Sequence, residues 1–124
     1  ILSKYAESLD LAMQLQKGGH KVWMCIEGKA DFDIGKGIID RYPKVQGVGK
    51  ADLVIMDDVG FGGMAENLRK SGKPVIGGST ITDRLENDRE YGIEMMDAYE
   101  ITIPAYETFS KLNALASRIY KKHE

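Results

Sequence analysis

A single cysteine and three prolines stand in 124 residues, and aromatic side chains make up only 8%. A lone thiol, Cys25, closes no internal disulfide and supplies no thiolate metal site, so nothing points to a disulfide-built extracellular scaffold. No apolar stretch approaches the roughly 20 residues that a membrane-spanning helix needs, and no signal-peptide pattern is present. The expectation is therefore a cytoplasmic protein with no membrane partner. Neither sign of charge is in excess: 17 Lys and Arg against 19 Asp and Glu give a net charge of −2. Without a basic footprint, no nucleic-acid partner is expected. Internal repeats and low-complexity segments are lacking too.

What is present is an ordinary globular balance, 43% hydrophobic and 29% charged, which excludes wholesale disorder. The length suits one domain, or one domain with the opening elements of another. The first apolar segment is only Ile1-Leu2, whereas an α/β domain opens on a buried strand of about five residues. The chain is expected to be a piece of a longer one.

Helix-like and strand-like segments alternate between glycine-rich breaks. Ala6, Leu9, Ala12, Met13 and Leu15 recur near a 3.6-residue period, and Lys17-Gly18-Gly19 closes that helix. Residues 20–26 read as a strand, and 29–50 as a long loop with one helical turn. Residues 51–58 carry an unbroken Leu-Val-Ile-Met run, which predicts a strand buried on both faces, as in a parallel sheet. A helix over 64–70 and a short strand over 73–76 follow, with Pro74 at a position where no ladder donor is lost. A long helix is expected over 82–99 with Thr82 as its N-cap, then a strand over 101–107 and a helix over 110–122. Strand–helix alternation with short connections predicts a doubly wound α/β fold with a mostly parallel sheet. Ligands in such folds bind beyond the carboxyl ends of the strands, here Ser3-Lys4, Glu27-Gly28, 57–62 and 77–80.

Gly77-Gly78-Ser79-Thr80 lies between a strand and a helix. Its backbone N–H groups either hold a phosphate at the helix N-terminus or simply close a tight turn. Gly60-Phe61-Gly62-Gly63 is no complete dinucleotide fingerprint and no P-loop, so it reads as a loop lining the cleft. Asp57-Asp58 resembles the phospho-acceptor strand end of receiver domains. Ser3-Lys4-Tyr5, however, stands where receivers keep an acidic pair for magnesium, and the last strand ends at Glu107-Thr108 in place of a lysine. By position, Ser3 and Lys4 are phosphate or substrate contacts. His20 and His123 are isolated and lack zinc-site spacing. Cys25 reads as a small buried hydrophobe, and Met64, Met95 and Met96 as core.

Leu68-Arg69, Gly72 and Pro74-Val75 are followed by Gly77-Gly78-Ser79, by Leu85-Glu86-Asn87-Asp88-Arg89 with Tyr91 and Met96, and by Tyr99, Ile101, Tyr106 and Phe109. In this order they resemble the end of the N-terminal domain of ATP-grasp ligases, most of all the phosphoribosylamine–glycine ligase family. The resemblance implies a Rossmann-like pre-ATP-grasp domain over 1–100, with 101–124 as the opening strand and helix of an ATP-grasp region. It puts Arg89 in place of the family's nucleotide-phosphate-binding lysine, where a guanidinium can fork two oxygens. It implies a phosphorylated sugar amine as substrate, and the strand ends place Asp57, Gly60, Gly77, Gly78 and Ser79 as its expected contacts; Ser3 and Lys4 join them by position only, since no family motif matches them. ATP and Mg²⁺ would be bound mainly by a core outside this chain, so the chain alone would not catalyse ligation. Ser3-Lys4-Tyr5-Ala6-Glu7 replaces the family's Gly-rich Arg-Glu-His turn. Asp57-Asp58-Val59-Gly60-Phe61-Gly62 replaces its Gly-Pro-Glu-x-Pro-Leu loop. Three other readings stay open: a non-catalytic α/β ligand-binding or interaction module, a receiver-like regulator, and a nucleotide-dependent oxidoreductase.

Overall fold

Apolar runs form strands and 3.6-period segments form helices, but each strand is shorter than the run that carries it. The structure, a computed structural model, describes residues 1–29 and 31–122. His123 lies outside them. In chain order the elements are β1 (Leu2–Ser3), α1 (Leu9–Lys17), β2 (Trp23–Ile26), β3 (Asp40–Arg41), α2 (Lys44–Lys50), β4 (Val54–Ile55), α3 (Gly62–Lys70), β5 (Val75–Ile76), α4 (Thr80–Asn87), α5 (Arg89–Ala98) and α6 (Leu112–Lys122). The chain divides into two compact units, residues 1–92 and 93–124.

The first unit is an α/β structure with parallel strands. β1 pairs with β2 and β2 with β3, while β4 pairs with β5, every pair parallel. A parallel bridge between Leu2 and Met56 joins the two groups, giving the spatial order β3-β2-β1-β4-β5. Along β2, Met24 and Ile26 point to one face and Cys25 to the other, as the two-residue strand period requires. One face is covered by a cluster of Ala6, Ala12, Val22, Met24, Ile26 and Ile39. The other packs Leu2, Val54, Met56, Phe61 and Ala65, with Cys25 at its margin. Burial pushes the Cys25 thiol pKa up, and the neighbouring charge of Glu27 adds to that. Among the described residues, no helix is long and apolar enough to cross a membrane.

Several elements differ from the sequence expectation. The stretch 29–50 holds β3 and α2 as well as turns. β3 is polar and α2 carries two glycines, so neither has an apolar period. Gly47 of α2 instead lets the helix lie on Trp23, where a Cβ would come within 2.8 Å of the indole nitrogen. The 51–58 run is not buried on both faces throughout, because Leu53 is 45% exposed. The expected 82–99 helix starts earlier and is broken in two. Ser79, not Thr82, is the N-cap of α4, and Thr82 answers it in a reciprocal capping box. Asp88 leaves the helix at φ −106° and ψ 96°. Its carboxylate then accepts from the Tyr91 amide at 3.0 Å and so starts α5.

In the second unit, α5 ends on Glu100 at φ 57°. The Ile101 amide reaches back to the Met96 carbonyl at 2.8 Å, a helix stop usually built on glycine. The expected strand over 101–107 does not form, and 101–109 has no regular structure. Its apolar alternation is interrupted by Pro104, and no other strand occurs among the described residues of this unit to pair with it. A bidentate pair between Arg118 and Glu107 ties α6 to this segment, with contacts of 2.9 and 2.7 Å.

Candidate functional site

The Leu2–Met56 bridge sets the register of the central strands, so Ser3 and Asp57 follow side by side at their carboxyl ends. Ser3 is fully buried, and its Oγ has no hydrogen-bond partner among the described residues. Asp57 accepts the Ser8 amide on Oδ2 at 3.1 Å, while its buried Oδ1 is unpartnered. Asp58 accepts the Val59 amide on Oδ1 at 2.7 Å and leaves its buried Oδ2 unpartnered. Buried polar atoms are paired in the great majority of cases. An unpaired hydroxyl and two unpaired carboxylate oxygens, all shielded from solvent, therefore lie at the ends of β1 and β4 as acceptors without donors among the described residues.

Lys4 closes one side. Its Nζ donates to the Val59 carbonyl and stands 5.7 Å from the centre of the Phe61 ring. Gly60 makes room for it: φ is +93°, and a Cβ there would lie 2.9 Å from Nζ. After β1 the chain turns through Ala6 at φ 63°. For a residue with a side chain, that conformation costs about 1–2 kcal/mol. Strain and unpaired polar atoms thus coincide at the β1–β4 edge.

The two glycine turns are organised differently from a phosphate cradle. The amides of Gly60 and Gly62 donate to Asp83, at 2.8 and 2.7 Å. Gly62 admits no side chain, since a Cβ would sit 2.1 Å from the Ser79 carbonyl oxygen. At the second turn, the carbonyls of Gly77 and Gly78 accept from the Arg69 guanidinium at 2.6 and 2.8 Å. The Ser79 amide donates to the Thr82 hydroxyl at 2.6 Å. Both the amide and the hydroxyl of Thr80 donate to Glu66, each at 2.8 Å. Those bonds hold the Glu66 carboxyl below its ordinary pKa. The anion at the N-terminus of α4 is the chain's own carboxylate.

Of the residues expected at the site, Ser3, Lys4, Asp57 and Gly60 meet at the β1–β4 edge. Gly77, Gly78 and Ser79 are tied to the same loop through Asp83 and the Gly62–Ser79 contact. Arg89 stands apart, exposed at the start of α5 and without a side-chain partner among the described residues. The length of α4, about 12 Å, separates it from the Ser79 turn. Its neighbour Arg84 is engaged, pairing with Asp88 at 3.3 Å and lying 3.8 Å from the centre of the Tyr91 ring. Asp83, Glu66 and Arg69 went unpredicted as organisers of the edge. Only Arg69 had a sequence signal, its place in the Leu68-Arg69 motif. Among the described residues, no three His, Cys, Asp or Glu side chains are grouped so as to hold a metal ion.

Comparison with protein-family models, with curated proteins and with solved structures gives no match to this chain.

Proposed function

We propose that this chain is the Rossmann-like, substrate-holding domain of an ATP-dependent carboxylate–amine ligase similar to phosphoribosylamine–glycine ligase, working in the cytoplasm. The observation that carries the proposal is the meeting of Ser3, Lys4, Asp57 and Gly60 at the carboxyl edge between β1 and β4. In the order β3-β2-β1-β4-β5, that is where the strand sequence reverses, the usual ligand position of doubly wound sheets. The resemblance over residues 68–109 supports the same assignment. The unpaired oxygens of Ser3, Asp57 and Asp58 suit the hydroxyl and amine donors of a sugar amine, and Lys4 suits its phosphate.

Among the described residues, the two glycine turns leave no cradle for a nucleoside triphosphate, and no side-chain grouping suits Mg²⁺. The glycine-loop amides are engaged by Asp83 and the α4 amides by Glu66 and Thr82. The proposal assigns both mainly to an ATP-grasp core. ATP held there would supply the phosphoryl group that activates the carboxylate, with ADP leaving, and phosphate would leave as the amine forms the amide. This domain's part is to hold and orient the amine.

Calorimetric titration with ribose 5-phosphate tests the proposal. The chain is expected to bind it, and Ser3→Ala and Lys4→Gln should each weaken binding about tenfold, the worth of one good hydrogen bond to a charged group. Ser3→Ala removes no side-chain hydrogen bond among the described residues, so its fold should persist. Lack of binding, or binding indifferent to both changes, overturns the proposal.

A second reading, a non-catalytic α/β ligand-binding module, draws on the engaged donors at both glycine turns. ATP use by the ligase that is unchanged in Arg89→Ala favours it.

A further inference from the structure

β3, two strands from β1 on the same carboxyl edge, ends on Arg41. Its Nε, Nη1 and Nη2 are all shielded from solvent, and none has a hydrogen-bond partner among the described residues. A guanidinium presents five donors in a rigid planar fork and cannot shed its charge under physiological conditions. Such a group, dry and without an acceptor, is strongly destabilising unless an anion meets it. The neighbouring carboxylates do not. Asp33 is exposed and paired with Lys36 at 3.0 Å, and Asp40 is exposed. Burial lowers the Arg41 pKa, opposed first by Cys25 and then by the field of Asp33.

Part of what lies over the fork is a run of turns across 31–38. The Ile34 amide bonds the Asp31 carbonyl at 3.0 Å, Lys36 bonds Asp33 at 3.1 Å, and Ile38 bonds Gly35 at 3.1 Å. Those bonds close within three residues, and the Ile39 amide bonds the Gly35 carbonyl at 3.1 Å, so neither a ladder nor a regular helix fixes this segment. Gly35 brings it down onto the arginine. Its φ is +73°, and a Cβ there would be 3.5 Å from Arg41 Nη2 and 2.5 Å from a Leu9 methyl. Phe32 and Ile38 are 55% and 53% exposed on the same segment, so little apolar burial resists its displacement.

We propose that Arg41 is an oxyanion site at the carboxyl end of β3: its fork takes the phosphate or carboxylate group of a small molecule, and residues 31–38 fold over the bound group. The site stands independently of the ligase assignment. It lies about 10 Å from the β1 end, two strand spacings away. It offers unpaired donors, whereas the β1–β4 edge offers unpaired acceptors.

Amide hydrogen exchange on the full chain tests this, with inorganic phosphate or acetate added against chloride at equal ionic strength. Phosphate is expected to slow exchange across 31–38. Arg41→Gln should weaken phosphate binding about tenfold or more, the loss expected for a charge-assisted fork. Protection by phosphate alone identifies a phosphoryl group and by acetate alone a carboxylate, and either supports the site. Where Arg41→Gln does not fold, Arg41→Lys keeps the charge without the fork and should also bind more weakly. No protection by either anion overturns the proposal, as does protection undiminished in Arg41→Gln or Arg41→Lys. Failure of ribose 5-phosphate to depend on Ser3 and Lys4 removes the ligase assignment and leaves this site standing.

Discussion

Asp83 shows how much one side chain can organise. Its two carboxylate oxygens hold the amides of Gly60 and Gly62, joining the loop after β4 to the first turn of α4. Gly62 is buried, so its amide cannot turn to water once the carboxylate is removed. Asp83→Ala is expected to destabilise the first unit by about 1–3 kcal/mol, the cost of an unpaired buried donor, measured as a shift in urea midpoint at constant m-value. Nothing in the sequence marks Asp83 for this task. It lies more than twenty positions from its partners, and an aspartate in a helical first turn is unremarkable there.

At the scale of elements, α4 is closed at its start from two directions. Ser79 and Thr82 cap it from within, and Glu66 reaches across from α3 to the Thr80 amide and hydroxyl. The Ser and Thr that form the cap stand in the sequence, although the expected N-cap is Thr82, whereas the reach of Glu66 is not legible there because it depends on α3 and α4 lying together. The Glu66 carboxyl is held below its ordinary pKa, first by the Thr80 amide and then by the Thr80 hydroxyl. A depressed carboxylate stabilises the fold above its unfolded pKa and loses that contribution as pH falls through its folded pKa. Glu66→Gln should therefore lower stability at neutral pH, and the gap to wild type should narrow as pH drops below about 4, the ordinary glutamate range. Thermal melts of both proteins from neutral to acid pH check this. A gap independent of pH contradicts it. Asp88, also depressed by its bond from the Tyr91 amide, leaves part of the acid sensitivity in both proteins.

For the molecule as a whole, stability of the first unit rests on apolar clusters either side of a thin sheet. Met24 is wholly buried within one of them, whereas Val45 on α2 is 84% exposed. Met24→Ala is expected to cost about 2–5 kcal/mol, through lost burial and the cavity left behind. Val45→Ala should stay within about 0.5 kcal/mol. Trp23 is the chain's single tryptophan and packs 5.4 Å from the Tyr42 ring, so its fluorescence follows unfolding of this unit directly. The sequence by itself determined the α/β class, the helices after Ser3 and before Gly72, the strands around Met24 and Ile55, and the glycine turns between strand and helix. Each is set by local period and local backbone freedom. Tertiary structure alone decided that β3 and α2 exist, that Ser3 abuts Asp57, that Asp83 and Glu66 take the amides a phosphate would use, and that Arg41 has no hydrogen-bond partner among the described residues. Those outcomes depend on which strand ends become neighbours, and a side chain's hydrogen-bond partners are fixed by the packing of elements distant along the chain.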